Sequence, residues 1–177
     1  TYYRGATDRT PVILSVFPMD VSRAPVAAAQ FADYAQRLGR VQSRAVPNVL
    51  DAGVIEGVPY LAFEDTRGHL LTDLLRERPL SSLEVLRIGT EVLDALEASH
   101  ECGLVHGDLT PHNVVVLRDS RGRLHARLFG VGALSLLRAN PDVSAVSAHT
   151  GSGKFAIPYM APELFGGRPE PASDVYA

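Results

Sequence analysis

Residues 106–113 read His106-Gly107-Asp108-Leu109-Thr110-Pro111-His112-Asn113, a polar loop wedged between the strongest helical pattern in the chain and a short apolar strand. Ahead of it, Ser81 and Glu84 have the spacing of a capping box. Val85, Ile88, Val92 and Leu96 then recur along one helical face, and Gly103 can end the helix. Behind the loop, residues 114–117 and 124–128 predict two strands joined by a turn containing Ser120, Arg121 and Gly122. Taken alone, Asp108 and Asn113 fit either chemistry or the capping of loop backbone.

Upstream, residues 11–17 alternate Val12, Leu14 and Val16 with Ile13, Ser15 and Phe17, which predicts a strand. Residues 25–41 place Phe31, Tyr34, Ala35, Leu38 and Val41 at helical spacing. Residues 47–50 lead into a hairpin with strands at 54–55 and 60–63 and a turn at Glu56-Gly57. A mobile connection is expected at 65–68, a long loop without periodicity at 131–158, and a helix start near Ser173. The expected class is α+β, a small sheet-rich lobe followed by a mainly helical one.

The loop resembles the catalytic loop of protein kinases, in which a carboxylate faces the incoming hydroxyl and an amide oxygen five residues on holds a phosphate-bridging metal. Tyr159-Met160-Ala161-Pro162-Glu163 resembles the end of a kinase activation segment, and Ser173-Asp174-Val175-Tyr176-Ala177 the start of the central helix. Pro47-Asn48-Val49 and Tyr60-Leu61-Ala62-Phe63-Glu64 resemble the approach to the hinge. These elements stand in the order of eukaryotic-type (Hanks-type) kinases, with bacterial serine/threonine kinases the nearest likeness. The resemblance implies a partial two-lobed kinase-like fold: an antiparallel-sheet lobe with one helix at 1–63, then a hinge and helical lobe at 64–177. Within the latter it implies a catalytic loop at 106–113, an activation segment at 128–163 and a central helix starting at 173–177. It begins after the glycine-rich loop, with Thr1-Tyr2-Tyr3-Arg4 similar to the strand that follows it. Apolar surface is expected at Val175 and Tyr176. His-Gly-Asp followed by Asn is also similar to aminoglycoside and choline kinases, but Ala-Pro-Glu and Ser-Asp-Val-Tyr favour the protein-kinase branch.

The resemblance assigns roles and exposes departures. Asp108 takes the position of the base, Asn113 that of a metal ligand, and Ile13, Phe63, Glu64, Thr66 and Val115 line the implied adenine pocket. Ser15 replaces the ATP-binding lysine of Val-Ala-Ile-Lys, and Ile13 crowds the face where the family has alanine. No glutamate occurs between Val21 and Leu50 to pair with that lysine; Tyr34 or Arg37 falls nearest. Leu128 replaces the metal-binding aspartate of Asp-Phe-Gly, and leucine has no oxygen for a hard cation. Phe155-Ala156 replaces Gly-Thr. Asp108 and His106 are therefore read as organisers of the loop. The expectation is a pseudokinase with weak or no ATP–Mg binding and no cofactor, acting through a protein partner. An active serine/threonine kinase using ATP and Mg, and a small-molecule phosphotransferase, are the alternatives.

Composition removes other classes. Net charge is −3 with no basic block, which argues against nucleic acid, and no apolar run approaches a membrane span. Cys102 has no partner for an internal disulfide, and a cytoplasmic setting is expected, alone or as part of a larger protein. Lys154 is the only lysine. Gly151-Ser152-Gly153-Lys154 lacks the first glycine and final hydroxyl of a phosphate loop, and the histidines lack zinc spacing.

Overall fold

The computed structural model describes residues 2–7, 10–139 and 157–177. The first lobe is a four-stranded antiparallel sheet of order β1-β2-β4-β3, built from β1 (Tyr2–Thr7), β2 (Thr10–Val16), β3 (Val49–Ile55) and β4 (Val58–Glu64). The β3–β4 turn forms at the expected pair, with φ at 50° for Glu56 and 83° for Gly57, the left-handed geometry that matches hairpin twist. β3 begins at Val49, so the expected lead-in is itself strand, continued by pairing Val49 with Phe63.

Helix α1 (Pro25–Leu38) starts on a proline, whose missing N–H costs nothing in a first turn. It buries Ala27, Phe31, Tyr34 and Leu38. Phe17 meets this face edge-on, its ring centroid 5.5 Å from Phe31 and 5.8 Å from Tyr34.

The second lobe opens with β5 (His69–Leu70) and α2 (Leu71–Glu77), two short elements whose length is below what periodicity resolves. Helix α3 (Ser82–Glu101) is capped as predicted: the Ser81 N–H and hydroxyl donate to Glu84 at 2.9 and 3.0 Å, and Arg78 grips the same carboxylate at 2.9 and 2.7 Å. Arg78 first, then the cap, holds the Glu84 carboxyl at about 2. Gly103, at φ 71°, ends the helix. One expected contact fails: Val85 is 54% exposed, and the covered face runs instead through Ile88, Ala95, Leu96 and Ser99. Val85 joins Leu71, Leu75 and Leu80 around an open apolar hollow.

Strands β6 (Val114–Arg118) and β7 (Leu124–Leu128) pair as the expected hairpin, with β5 on the outer edge of β6. Glu91 of α3 accepts from the Ala126 N–H at 2.5 Å and meets His125 Nδ1 at 2.7 Å, locking helix to hairpin. The stretch expected to be loop from 131 onward contains helix α4 (Ala133–Arg138), six residues held by Leu136 in the core and by Arg138 donating to the Gly167 and Leu164 carbonyls. Two short 3-10 turns, Ile157–Tyr159 and Pro162–Phe165, precede helix α5 (Pro171–Tyr176). α5 starts two residues before the expected Ser173 because Pro171 and the Glu170–Ser173 cap define its first turn. Val175 and Tyr176 are exposed, as expected. Among the described residues no helix is long and apolar enough to cross a membrane.

One apolar cluster joins the lobes, from Phe17 and Phe31 through Leu61 and Phe63 to Leu96, Leu128 and Val131. The architecture is α+β, a sheet lobe carrying one helix stacked on a mainly helical lobe.

Candidate active site

The polar loop is organised from behind. Asp174 of α5 has a side chain with no exposure, and it accepts from the N–H groups of His106 and Gly107 at 2.9 and 2.7 Å. The oxygen that accepts from the His106 N–H also meets His100 Nε2 at 2.7 Å. Two backbone donors turned toward one carboxylate fix the peptide planes just before Asp108. Gly107 is needed there, at φ 72° with Pro169 only 2.8 Å from where a Cβ would stand.

His106 is the packed loop residue its setting suggested, 1% exposed. Its Nδ1 accepts from the Asp108 N–H at 3.2 Å, so its Nε2 carries the proton and donates to the Phe129 carbonyl at 2.9 Å. Burial pushes this imidazole below its ordinary pKa, so it serves as a neutral strut. Asp108 is half-buried and, with Leu109, Thr110, Tyr159 and Met160, lines a small hollow between the loop and the 159–177 stretch.

Asn113 lies on the same loop, where its side-chain oxygen accepts a 2.9 Å hydrogen bond from the buried Thr110 hydroxyl. That hydroxyl also accepts from the His112 N–H at 3.2 Å, making a closed turn. The resemblance marks Thr110 only as a replacement for the loop's usual lysine, a position that varies in related bacterial sequences; its bond to Asn113 is a local one that leaves no periodic signal. Leu128 ends β7 at 1% exposure, inside the joint core. Among the described residues no three His, Cys, Asp or Glu converge as a metal site.

Across the cleft, Ser15 is 7% exposed on β2. Of the two α1 candidates, Tyr34 faces inward: it is buried, and its hydroxyl donates to the Val131 carbonyl at 2.9 Å. Arg37 instead lies at the surface, paired with Asp33 at 2.9 Å. Burial raises the Tyr34 phenol pKa, so it stays a donor. Gly132 makes this approach feasible, because a Cβ there would sit 2.9 Å from the Tyr34 ring and 3.0 Å from Leu104.

Of the residues expected to line an adenine pocket, Ile13 pairs with Phe63 across β2 and β4. Phe63 and Thr66 are buried, while Ile13, Glu64 and Val115 are half-buried. The connection expected to be mobile at 65–68 is tethered: Arg4 meets Asp65 at 3.4 Å and donates to the Thr66 carbonyl at 3.3 Å, and the Gly68 N–H donates to the same carbonyl at 3.0 Å. Aromatic rings cross the back of the cleft, with Phe129 5.8 Å from Phe63 and 5.4 Å from Tyr2. Glu163 accepts from the Ser173 hydroxyl at 2.5 Å, which holds its carboxyl below the usual range. Phe155, Ala156 and the 151–154 stretch lie outside the described residues.

The family profile described as the protein kinase domain matches residues 27–177. The chain belongs to the protein kinase domain family. Serine/threonine-protein kinase PknL of Mycobacterium tuberculosis is 33% identical over 181 aligned residues, which take in 100% of this chain and 43% of PknL. The probable serine/threonine-protein kinase PknB of Corynebacterium glutamicum is 28% identical over 94% of this chain and 26% of its own length. The chain thus spans less than half the length of these curated relatives. Among solved structures, a double mutant of the Mycobacterium tuberculosis PknI kinase domain superposes with a TM-score of 0.65 at 25% identity, over 98% of this chain and 62% of that one. The Hanks-type resemblance and the two-lobed α+β expectation are both met.

Proposed function

We propose that this kinase domain is a pseudokinase, with little or no binding of ATP–Mg, that acts by contact with another protein. The observation that carries the reading is the neutral construction of the nucleotide side. Ser15 brings no cation to the phosphates, the α1 link is an uncharged Tyr34–Val131 hydrogen bond, and apolar Leu128 is buried where a carboxylate would hold the metal. The oxygen of Asn113 is already engaged by Thr110, and a single amide is a poor site for a cation that prefers about six oxygens. These residues do not fit a metal-nucleotide.

The protein partner is argued from the substrate side, where the loop scaffold is intact, and from relatives named as serine/threonine-protein kinases. A cytoplasmic setting belongs to the same reading. The family match across 27–177 favours the protein-kinase branch over the small-molecule phosphotransferases.

A second reading, an active serine/threonine kinase, is favoured by one observation: Asp108 keeps a rigid backbone, fixed by Asp174 and His106. The two readings separate in one experiment. Thermal melting with ATP, with and without magnesium, should show a shift below about 1 °C, and labelled ATP should give no phosphate transfer. A shift of several degrees that requires magnesium, or transfer abolished by Asp108→Asn, would reject the pseudokinase reading.

A further inference from the structure

Strand β1 carries an arrangement that the missing lysine and aspartate do not explain. Period two places Tyr2 and Arg4 on one face and Tyr3 on the other. Tyr2 pairs in register with Ser15, and its hydroxyl lies against the Ser15 hydroxyl. The ring packs edge-on to Phe129 at 5.4 Å. A Cβ on Gly130 would stand 3.5 Å from the Tyr2 hydroxyl and 3.4 Å from Asn113 Nδ2, so phenol and amide flank the same point. That point lies between the lobes, among the positions that the family uses for phosphate and metal. The second member, Arg4, spans to Asp65 and the Thr66 carbonyl on the adenine side.

We propose that β1 is a built-in occupant of the nucleotide cleft: Tyr2 fills the phosphate end, Arg4 ties off the hinge end, and an adenine nucleotide enters only if the β1–β2 ribbon lifts. The inference rests on the pseudokinase reading but adds to it. Loss of the lysine and aspartate weakens attraction for nucleotide, whereas a phenol in the cleft excludes it by volume. Tyr2 is 44% exposed as a whole residue, while its hydroxyl lies beside Gly130 and the Asn113 amide. Burial is also the main cause that raises the Tyr2 phenol pKa, and the Tyr34 phenol feels Tyr2 as its second cause. The two neutral hydroxyls and Ser15 stand where a cation and a carboxylate would have met.

The test is binding of methylanthraniloyl-labelled ADP without magnesium to the full-length protein, read by fluorescence. Tyr2→Val removes the ring but keeps a strand-forming residue. It should bind at least tenfold more tightly than the unmodified protein. Arg4→Ala, a change at a largely exposed side chain that the fold should tolerate, should gain at least threefold, so the proposal stays testable if the first variant folds poorly. Tyr3→Val, on the opposite face, should leave binding unchanged. Equal affinity in the unmodified protein, Tyr2→Val and Arg4→Ala would overturn the occlusion, however inert the protein is toward ATP. Phosphate transfer lost in Asp108→Asn would overturn the pseudokinase reading instead, and the variant-to-unmodified ratio would still decide the occlusion.

Discussion

Replacing Tyr34 by Phe removes one oxygen from the centre of the protein and nothing else. That hydroxyl is the direct polar link between α1 and the segment after Gly130, and it donates to a main-chain carbonyl from a residue only 6% exposed. A neutral hydrogen bond contributes about 1 kcal/mol net, and the orphaned Val131 carbonyl adds part of a desolvation penalty, so the loss should be about 1–2 kcal/mol. With a urea slope of about 2 kcal/mol/M, the unfolding midpoint should fall by about 0.5–1 M at unchanged slope. The melting temperature should drop by about 2–4 °C for each kcal/mol in a chain of this size. The loss should be the same at low ionic strength and in about 1 M salt, where the Debye length of about 3 Å would screen an ion pair. The raised phenol pKa fixes the sign with pH: the contribution is complete below the ordinary tyrosine value near 10 and fades only as pH rises past it toward the folded value. Urea titrations of the unmodified protein and Tyr34→Phe at both salt levels test this. A midpoint change under about 0.2 M, or a loss that shrinks with salt, would refute the neutral tether.

Asp174→Asn should destabilise by about 3 kcal/mol, because an amide has one accepting oxygen and would leave one of the His106 and Gly107 N–H groups facing its NH2; chemical denaturation reads it. His106, held neutral by burial, should contribute stability that is whole above about pH 6.5 and is lost as pH falls through its lowered folded value, at no more than about 1.4 kcal/mol per pH unit; His106→Gln should flatten that limb. Glu84 has a lowered pKa, so its support of α3 should be complete above its ordinary 4.5 and vanish as pH falls toward about 2. Circular dichroism of Glu84→Gln should lack that acid-side loss.

The elements that carry their own local instructions were legible in advance. The Ser81–Glu84 cap, the Glu56-Gly57 turn and Gly103 each act within a few residues, and each appears where the spacing predicted. The loop at 106–113 was legible as a unit because its chemistry is contiguous. Choices settled by packing between distant segments were not. Tyr34 and Arg37 both carry a hydrogen-bond donor near the expected position, and the packing of one face of α1 against Phe17 decides which of them turns inward. Thr110 closes a turn onto Asn113, and Asp174 reaches the loop from 67 residues away. Tyr2 and Arg4 gain meaning only once the β1–β2 register sets Tyr2 beside Ser15. Helix α4 is too short to show a period, and Val85 fits the helical pattern but lies beyond the packed part of α3.

Gly132 places a different kind of demand on the chain. Residues 34, 104 and 132, from three separate stretches, converge at a spot with no room for a methyl group, and φ there is 74°. Any side chain would act as a wedge, prying α1 away from the lower lobe. On the pseudokinase reading, Ser15 or Leu128 can be exchanged for many residues of fitting volume, but this position has an alphabet of one letter. Freedom to drift is therefore unevenly distributed: wide where a position asks only for fitting volume, closed where the lobes touch.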